Sequence, residues 1–127
     1  PKSIDFKDAV FNVGRAALFA SAITTGNYDL LPYATQDRLH QPYRKNLIPD
    51  FDKIIDISLE SGAKGAFLSG AGPSIIAIID ENYDGFESEI REKLKFVNLQ
   101  ADWDFMLLEA DNSGANVFSV QNSTIKR

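Results

Sequence analysis

The chain opens with apolar residues that recur every three or four positions, which is the period of an α-helix. This pattern covers residues 5–25 and ends at Gly26, a residue type favoured at helix C-termini. The apolar stripe comprises Phe6, Ala9, Val10, Val13, Ala17, Ala20 and Ile23. A polar stripe along the same segment comprises Asp8, Asn12 and Arg15. We therefore predict one amphipathic helix over residues 5–25.

Three shorter segments follow before the pattern changes. Residues 27–35 predict a short helix that begins or breaks at Pro32. Residues 36–45 are polar and contain a proline, so we predict a loop or a helix end there. Residues 49–61 predict a further helix, because a proline is favoured in the first turn and Gly62 follows as a stop.

The pattern then shifts to short apolar runs typical of β-strands, with one amphipathic helix among them. Residues 65–68 and 75–79 predict two strands, and residues 83–96 predict the helix. Residues 103–109 and 115–120 predict two further strands, separated by a turn. A helical block followed by this ββαββ order predicts an α+β two-layer sandwich. We expect a ferredoxin-like, largely antiparallel four-stranded sheet with helices on one face.

Composition narrows the classes of protein to which this chain can belong. Its 127 residues fit one domain, and 44% hydrophobic with 24% charged residues predict a folded globule. A net charge of −5 argues against a general nucleic-acid or anionic-membrane surface. No apolar run is long enough to span a bilayer and no signal peptide is evident, so we expect a cytoplasmic protein. Because the first residue is proline, we expect the chain to be part of a longer protein.

Composition also excludes several kinds of catalytic and metal site in this chain. There is no cysteine and only one histidine, which excludes disulfides, thiolate nucleophiles and multi-histidine metal sites. The acidic pairs lie in polar surroundings, and no phosphate-binding Gly-x-x-x-x-Gly-Lys motif occurs. We assign no catalytic residue and no metal ligand from these patterns.

The first candidate site is the glycine loop, residues 69–74, with the sequence Ser-Gly-Ala-Gly-Pro-Ser. A plain hairpin needs only two turn residues, whereas this loop has two glycines, a proline and two hydroxyls. Glycines permit a positive φ and a close approach of the backbone to a bound group. The exposed N–H groups of such a turn can hold an anion. An ordinary flexible loop is the alternative that the glycines alone leave open.

The second candidate site is a basic segment, residues 38–45. Four basic residues lie within these eight positions of an otherwise acidic chain, namely Arg38, His40, Arg44 and Lys45. Arginine suits bidentate recognition of a carboxylate or a phosphate. The alternative is a solvated loop in which Arg38 pairs with Asp37 or Glu60, and local sequence does not separate the two.

Three motifs occur in order along the chain. They are Asp-Ala-Val-Phe-Asn-x-x-Arg at residues 8–15, Arg-Leu-His-Gln-Pro-Tyr-Arg at 38–44 and Leu-Ser-Gly-Ala-Gly-Pro-Ser at 68–74. Together they resemble the C-terminal half of the homoserine kinases. The last motif resembles one shared by a superfamily that includes galactokinase, mevalonate kinase and phosphomevalonate kinase. The second motif narrows the resemblance to homoserine kinases, and the match spans nearly the whole chain.

The resemblance implies ATP-dependent phosphorylation of the L-homoserine hydroxyl, which gives O-phospho-L-homoserine on the route to threonine. It implies that Arg44, and after it Arg38, contacts the substrate carboxylate. The loop residues implied beside the substrate are Ser69 and Gly70, and those implied on the phosphate side are Ala71 and Gly72. The residues expected to support these contacts are Asn12, Arg15 and His40.

The chain departs from the family pattern in one respect, since the family's glycine- and serine-rich ATP loop lies upstream and is absent here. We expect ATP and Mg²⁺ to be bound mainly by an N-terminal domain outside this chain, and the chain alone to be inactive and without a cofactor. The expected partners are L-homoserine and that domain, with a homodimer left open. Two alternatives stand beside this interpretation: a stand-alone ferredoxin-like module that binds an amino acid for regulation, and the C-terminal domain of another kinase of the superfamily.

Overall fold

Five α-helices and two β-strands are assigned in residues 1–117, the part of the chain that this computed structural model describes. In chain order they are α1 (Phe6–Thr25), α2 (Leu31–Ala34), α3 (Gln41–Arg44), α4 (Phe51–Glu60), β1 (Gly65–Leu68), β2 (Ile75–Ile78) and α5 (Phe86–Phe96). Single 3₁₀ turns at Tyr28–Leu30 and Lys45–Leu47 precede α2 and follow α3. The strands form an antiparallel pair, so the predicted mixture of helices with antiparallel strands is confirmed.

The first helix has the predicted length, because both of its ends carry local signals. The Asp5 side chain caps the N-terminus of α1 by accepting from the Lys7 N–H at 3.2 Å. Gly26 ends the helix with φ 69°. The predicted apolar stripe, however, is mostly exposed within residues 1–117. Phe6 is 81% exposed and Val13 is 70% exposed.

α1 packs against α2 and against the 3₁₀ turn that precedes it, using its other face. The residues of that face share helical spacing and are at least partly buried: Phe11, Asn12, Arg15, Phe19 and Ala22. The Phe19 ring meets the Phe67 ring of β1 edge-on, with the ring centroids 6.1 Å apart. The residues of α1 that pack within residues 1–117 are therefore mostly not those of the predicted apolar stripe. Both faces of α1 carry apolar residues, and phenylalanine offers more apolar surface for burial than valine does.

The packed core is arranged around α4. Each of two apolar clusters includes one buried residue of α4. The first comprises Ile57, Ala63, Phe86 and Ile90, and the second comprises Ile48, Phe51 and Leu68. The strands β1 and β2 pair from Gly65 opposite Ile78 to Leu68 opposite Ile75. The glycine loop connects the two strands and begins directly after Leu68, which belongs to the second cluster.

The predicted third and fourth strands are not shown. Residues 103–109 carry no strand, and residues 115–120 carry none up to Val117 and lie outside the described residues beyond it. Trp103 and Phe105 pack against the two clusters, whereas Met106 is 75% exposed. Residues 103–106 alternate in burial as a strand would, whereas residues 107–109 are all exposed. The segment forms no ladder with β1 or β2, and strand assignment requires that ladder.

Two further boundaries differ from the predictions. The helix predicted from residue 83 begins at Phe86, because the Tyr83 N–H closes a turn onto the Asp80 carbonyl at 3.0 Å. Residues 36–45, predicted as a loop or a helix end, contain the one-turn helix α3.

Among the helices within residues 1–117, none has the length and apolar character needed to cross a membrane.

Candidate functional site

A cavity of about 370 Å³ lies between α1, residues 34–41 and the end of β1. Its apolar wall includes Ala16, Phe19, Ala34, Phe67 and Leu68. Its polar groups include those of Asn12, Arg15, Asp37, His40 and Gln41. An apolar wall with a few polar groups is the usual composition of a small-molecule site, and this volume lies at the small end of the usual range. We therefore take this cavity as the candidate ligand site.

Arg15 is the cation of this cavity. Its guanidinium lies 4.4 Å from the centroid of the Phe11 ring, in a cation–π contact. Its Nε is buried without a hydrogen-bond partner within residues 1–117, and no carboxylate of that part of the chain forms an ion pair with it. A buried donor without an acceptor is unfavourable, and Arg15 lines the cavity, so its guanidinium is the candidate group there for an anionic ligand.

Arg38 is already engaged by the protein. Its Nη1 lies 3.5 Å from Asp8 Oδ1, and its guanidinium lies 3.9 Å from the centroid of the Phe11 ring. The ion pair thus forms with Asp8 and not with Asp37 or Glu60, as the solvated-loop alternative supposed. Arg38 does not line the cavity, and an exposed ion pair of this kind is weak.

Arg44 is the last residue of α3 and is half-buried. Within residues 1–117 its guanidinium forms no ion pair, whereas the neighbouring Lys45 Nζ lies 2.9 Å from a carboxylate oxygen of Asp52. Arg44 does not line the cavity. Its donors are therefore available to a group outside the described part of the chain.

Asp37 organises the basic segment, although the sequence patterns did not single it out. Its carboxylate accepts hydrogen bonds from the backbone N–H groups of Leu39, at 2.7 Å, and His40, at 3.0 Å. It also accepts from the Gln41 N–H and from the side-chain amide of Asn12. Burial alone would raise the pKa of Asp37, but these hydrogen bonds outweigh burial and hold that pKa below its ordinary value. Aspartate side chains readily accept hydrogen bonds from nearby backbone N–H groups, and an aspartate in this polar, proline-containing segment is the signal by which the sequence could have identified it.

The glycine loop has the backbone that its glycines predict. Gly70 has φ 53° and Gly72 has φ 81°, both in the left-handed region. The Ser69 N–H donates to the Ser74 carbonyl at 2.8 Å, and the Gly72 N–H donates to the Ser69 carbonyl at 2.9 Å. The N–H groups of Gly70 and Ala71 form no hydrogen bond within residues 1–117, and both residues are exposed. These two donors are therefore open to a ligand. Binding of an anion by this loop remains a prediction.

The predicted site residues fall into two groups. The cavity is lined by the three residues that were expected only to support the site: Asn12, Arg15 and His40. The cavity lining includes neither the glycine loop nor the two arginines that were expected to contact the substrate carboxylate, Arg38 and Arg44. Gln41, which sequence reasoning did not assign a role, connects the groups. Its Oε1 accepts from the Leu68 N–H at 2.8 Å, immediately before the glycine loop.

Comparison with known proteins identifies similar sequences. The family model described as GHMP kinases C terminal matches residues 10–95. The homoserine kinase of Caldicellulosiruptor saccharolyticus is 78% identical over 124 residues, which cover 98% of this chain and 40% of that protein. The homoserine kinase of Caldicellulosiruptor bescii is 74% identical over 127 residues, which cover 100% of this chain and 41% of that protein.

A solved structure is similar in fold. The crystal structure of homoserine kinase from Cytophaga hutchinsonii matches with a TM-score of 0.66 at 29% sequence identity. The match covers 80% of this chain and 33% of that chain. The chain thus spans about 40% of the length of the curated relatives that it matches.

Proposed function

The chain belongs to the family of GHMP kinase C-terminal domains, and on that premise we propose that it is the C-terminal, substrate-side domain of a homoserine kinase. The proposed reaction transfers a phosphoryl group from ATP to the hydroxyl of L-homoserine and yields O-phospho-L-homoserine, a step of threonine biosynthesis. The observation that carries the proposal is the match to a homoserine kinase over 100% of the chain at 74% identity. Because the chain spans about 40% of its relatives, we propose that it supplies only part of the active site.

We assign the substrate carboxylate to arginine side chains, which bind carboxylates bidentately. Arg44 is the first candidate, because it ends the motif at residues 38–44 and forms no ion pair within residues 1–117. Arg15 is added as a second candidate, because it lines the cavity and forms no ion pair within residues 1–117. Arg38 ranks below both, since Asp8 and Phe11 already engage it. Asn12 and His40 keep a supporting role.

The glycine loop is proposed to lie between the substrate hydroxyl and the ATP phosphates. Ser69 and Gly70 would face the substrate, and Ala71 and Gly72 would face the phosphates. The open N–H groups of Gly70 and Ala71 support this role, since backbone amides in a turn stabilise negative charge. Phosphoryl transfer depends on positioning and charge stabilisation, so the loop contributes without supplying a base.

We propose that the longer, remaining part of the protein provides most of the contacts to ATP and Mg²⁺. Mg²⁺ prefers carboxylate oxygens and phosphates as ligands. Within residues 1–117 no group of His, Asp and Glu side chains is arranged to hold a metal ion, so we assign no Mg²⁺ ligand there. The proposed location of the whole enzyme is the cytoplasm, and its first proposed partner is its own N-terminal domain.

We further propose that the complete protein forms the four-stranded ferredoxin-like sheet. Residues 103–106, the first part of the predicted third strand, support this proposal, because Trp103 and Phe105 pack against the core while Asp104 and Met106 are exposed. An alternation of this period is what a half-buried strand shows.

The test of the function is ATP turnover by the full-length protein that contains this chain, measured with homoserine, mevalonate and galactose in turn. We expect ADP release with homoserine only, and O-phosphohomoserine as the product. Stimulation by another alcohol would assign the chain to a different kinase of the superfamily. Amino-acid binding by the isolated chain, without turnover by the full-length protein, would support the regulatory module instead.

Arg44→Ala in the full-length protein tests the carboxylate assignment. We expect the KM for homoserine to rise about tenfold to hundredfold, because a hydrogen bond to a charged group contributes about 1.5–3 kcal/mol. The KM for ATP should be nearly unchanged. Lys45→Ala is the matched control, since Lys45 adjoins Arg44 but pairs with Asp52. An unchanged KM for homoserine in Arg44→Ala would remove Arg44 from this role.

A further inference from the structure

Gln41 connects three parts of the candidate site. Its backbone N–H donates to the Asp37 carboxylate at the start of α3, the helix that ends at Arg44. Its Oε1 accepts from the Leu68 N–H at 2.8 Å, and Leu68 directly precedes the glycine loop. Its Nε2 donates to the Thr35 carbonyl at 3.4 Å. One side chain thus joins the helix that carries Arg44 to the strand that leads into the glycine loop.

The Leu68 N–H depends on this contact. Within the described residues β1 has β2 on one edge only, and the Leu68 N–H is not used in that pairing. Leu68 is 6% exposed, so water has little access to its backbone. A buried N–H that loses its acceptor is unfavourable, and the backbone shifts to find another. The end of β1 is therefore held in place by the Gln41 amide.

Asn12 ties the same unit to α1. It donates from Nδ2 to the Asp37 carboxylate and accepts at Oδ1 from the Arg38 N–H at 2.9 Å. Arg15, the cavity cation, lies three residues further along α1 on the same face. A continuous set of hydrogen bonds, through Asn12, Asp37 and Gln41, therefore links the cavity, the basic segment and the glycine loop.

We infer that Gln41 is a positioning residue that fixes the glycine loop relative to Arg44, an inference that rests on the proposed function. Both polar atoms of its amide bond to the protein, so Gln41 acts through the loop and α3 rather than on the reacting atoms. In phosphoryl transfer the hydroxyl and the phosphate must be aligned, and a small misalignment slows the reaction strongly. Loss of the Gln41 amide should therefore lower kcat more than it raises the KM for either substrate.

Gln41→Met in the full-length protein tests this inference, because methionine keeps the length of the side chain and removes the acceptor. We expect kcat with homoserine to fall about tenfold to hundredfold, with much smaller changes in the KM for homoserine and for ATP. Gln41→Glu retains an oxygen acceptor for the Leu68 N–H but loses the donor to the Thr35 carbonyl, so it should have a kcat between those of Gln41→Met and the wild type. Gln100→Met is the control, because the Gln100 side chain is exposed and does not line the cavity.

Amide hydrogen exchange of the same variants gives a readout that is independent of activity. We expect the Leu68 N–H to exchange about tenfold faster in Gln41→Met than in the wild type, and α4 to exchange as before, because the change is a local opening. Gln41→Glu should exchange like the wild type. If the wild type does not phosphorylate homoserine, the proposed function fails, while the exchange comparison still decides whether Gln41 holds the loop.

The inference would be overturned if Gln41→Met kept a kcat close to that of the wild type, or if the Leu68 N–H of this variant exchanged at the wild-type rate. Faster exchange throughout α4 and α5 in Gln41→Met would also overturn it, because the change would then not be local. A Gln41→Glu variant as slow as Gln41→Met also contradicts it. If Gln41→Met does not fold, Gln41→Asn replaces it: the amide is then one methylene shorter, out of reach of Leu68, and the same expectations apply.

Discussion

At the scale of single residues, the charge of the Asp37 carboxylate is stabilised by hydrogen bonds rather than by a neighbouring cation. Burial disfavours the charge, yet the pKa of Asp37 lies below its ordinary value, because three backbone N–H groups and the Asn12 amide donate to it. These hydrogen bonds matter because α3 is only four residues long. A helix of one turn has little stability of its own and depends on such contacts.

We predict that Asp37→Asn lowers the free energy of unfolding near neutral pH by about 1 kcal/mol, because both Asp37 oxygens accept hydrogen bonds, the amide retains only one of them, and a hydrogen bond contributes about 0.5–1.5 kcal/mol. The pKa of Asp37 in the folded state lies below 3.8, its ordinary value in the unfolded chain. The charged form therefore adds stability above about pH 3.8, and this stability is lost as the pH falls through the folded-state pKa. The gap between wild type and variant should shrink on acidification.

Urea unfolding followed by circular dichroism, at neutral and at acidic pH, measures that gap. Asp56→Asn is the matched control, since Asp56 is exposed and forms no ion pair or hydrogen bond within the described residues. A gap that widens as the pH falls would contradict the sign derived for Asp37.

At the scale of secondary-structure elements, sequence and structure agree where the signals are local. Asp5 and Gly26 mark the ends of α1, and the glycines of the loop have the positive φ that their residue type suggests. The packed face of α1 is not a local property, because it depends on Phe67, which comes much later in the chain. The strand predicted at residues 103–109 likewise needs a partner strand that local sequence does not specify.

The candidate site likewise contains features that local sequence predicts and others that depend on residues far apart in the chain. The basic segment and the glycine loop are contiguous motifs, so sequence reasoning found both. The roles of Asp37 and Gln41 come from hydrogen bonds to Asn12, 25 residues away, and to Leu68, 27 residues away. Such pairings arise from the packing of whole elements against one another, and no local periodicity encodes them. The same packing directs Arg15 into the cavity.

The connection between α4 and β1 depends on Gly62. Its φ is 101°, and a Cβ built there would lie 2.7 Å from Cε1 of Tyr83. The Tyr83 hydroxyl donates to the Glu89 carboxylate, which restrains the ring against α5. We predict that Gly62→Ala lowers the free energy of unfolding by about 2 kcal/mol or more, because a strained backbone and steric overlap add together.

Gly26→Ala is the matched control for that change. Gly26 also has a positive φ, of 69°, but a Cβ built there meets no atom within 4 Å. Only the backbone strain applies, and we expect a loss of about 1 kcal/mol in the free energy of unfolding. Thermal or urea unfolding of both variants measures the difference. Equal losses would mean that the Tyr83 ring moves aside.

At the scale of the whole molecule, residues 1–117 leave an apolar face of α1 uncovered. Phe6 is 81% exposed, Val10 is 53% exposed and Val13 is 70% exposed. A contiguous apolar face of this kind is typical of an interface. The curated relatives are much longer than this chain, which covers about 40% of their length. We therefore expect the rest of the same protein to cover this face.

Val13→Cys tests this expectation directly, because the chain itself contains no cysteine. In the isolated chain we expect a maleimide to label Val13→Cys as fast as Ser113→Cys, a variant at an exposed position. In the full-length protein, labelling at position 13 should be about tenfold slower or more, because a buried thiol reacts only when the structure opens. Mass spectrometry of the labelled peptides separates the two sites. Equally fast labelling in both proteins would show that the remaining domain leaves the face open. Slow labelling of the isolated chain that recovers on dilution would assign the face to a second copy instead.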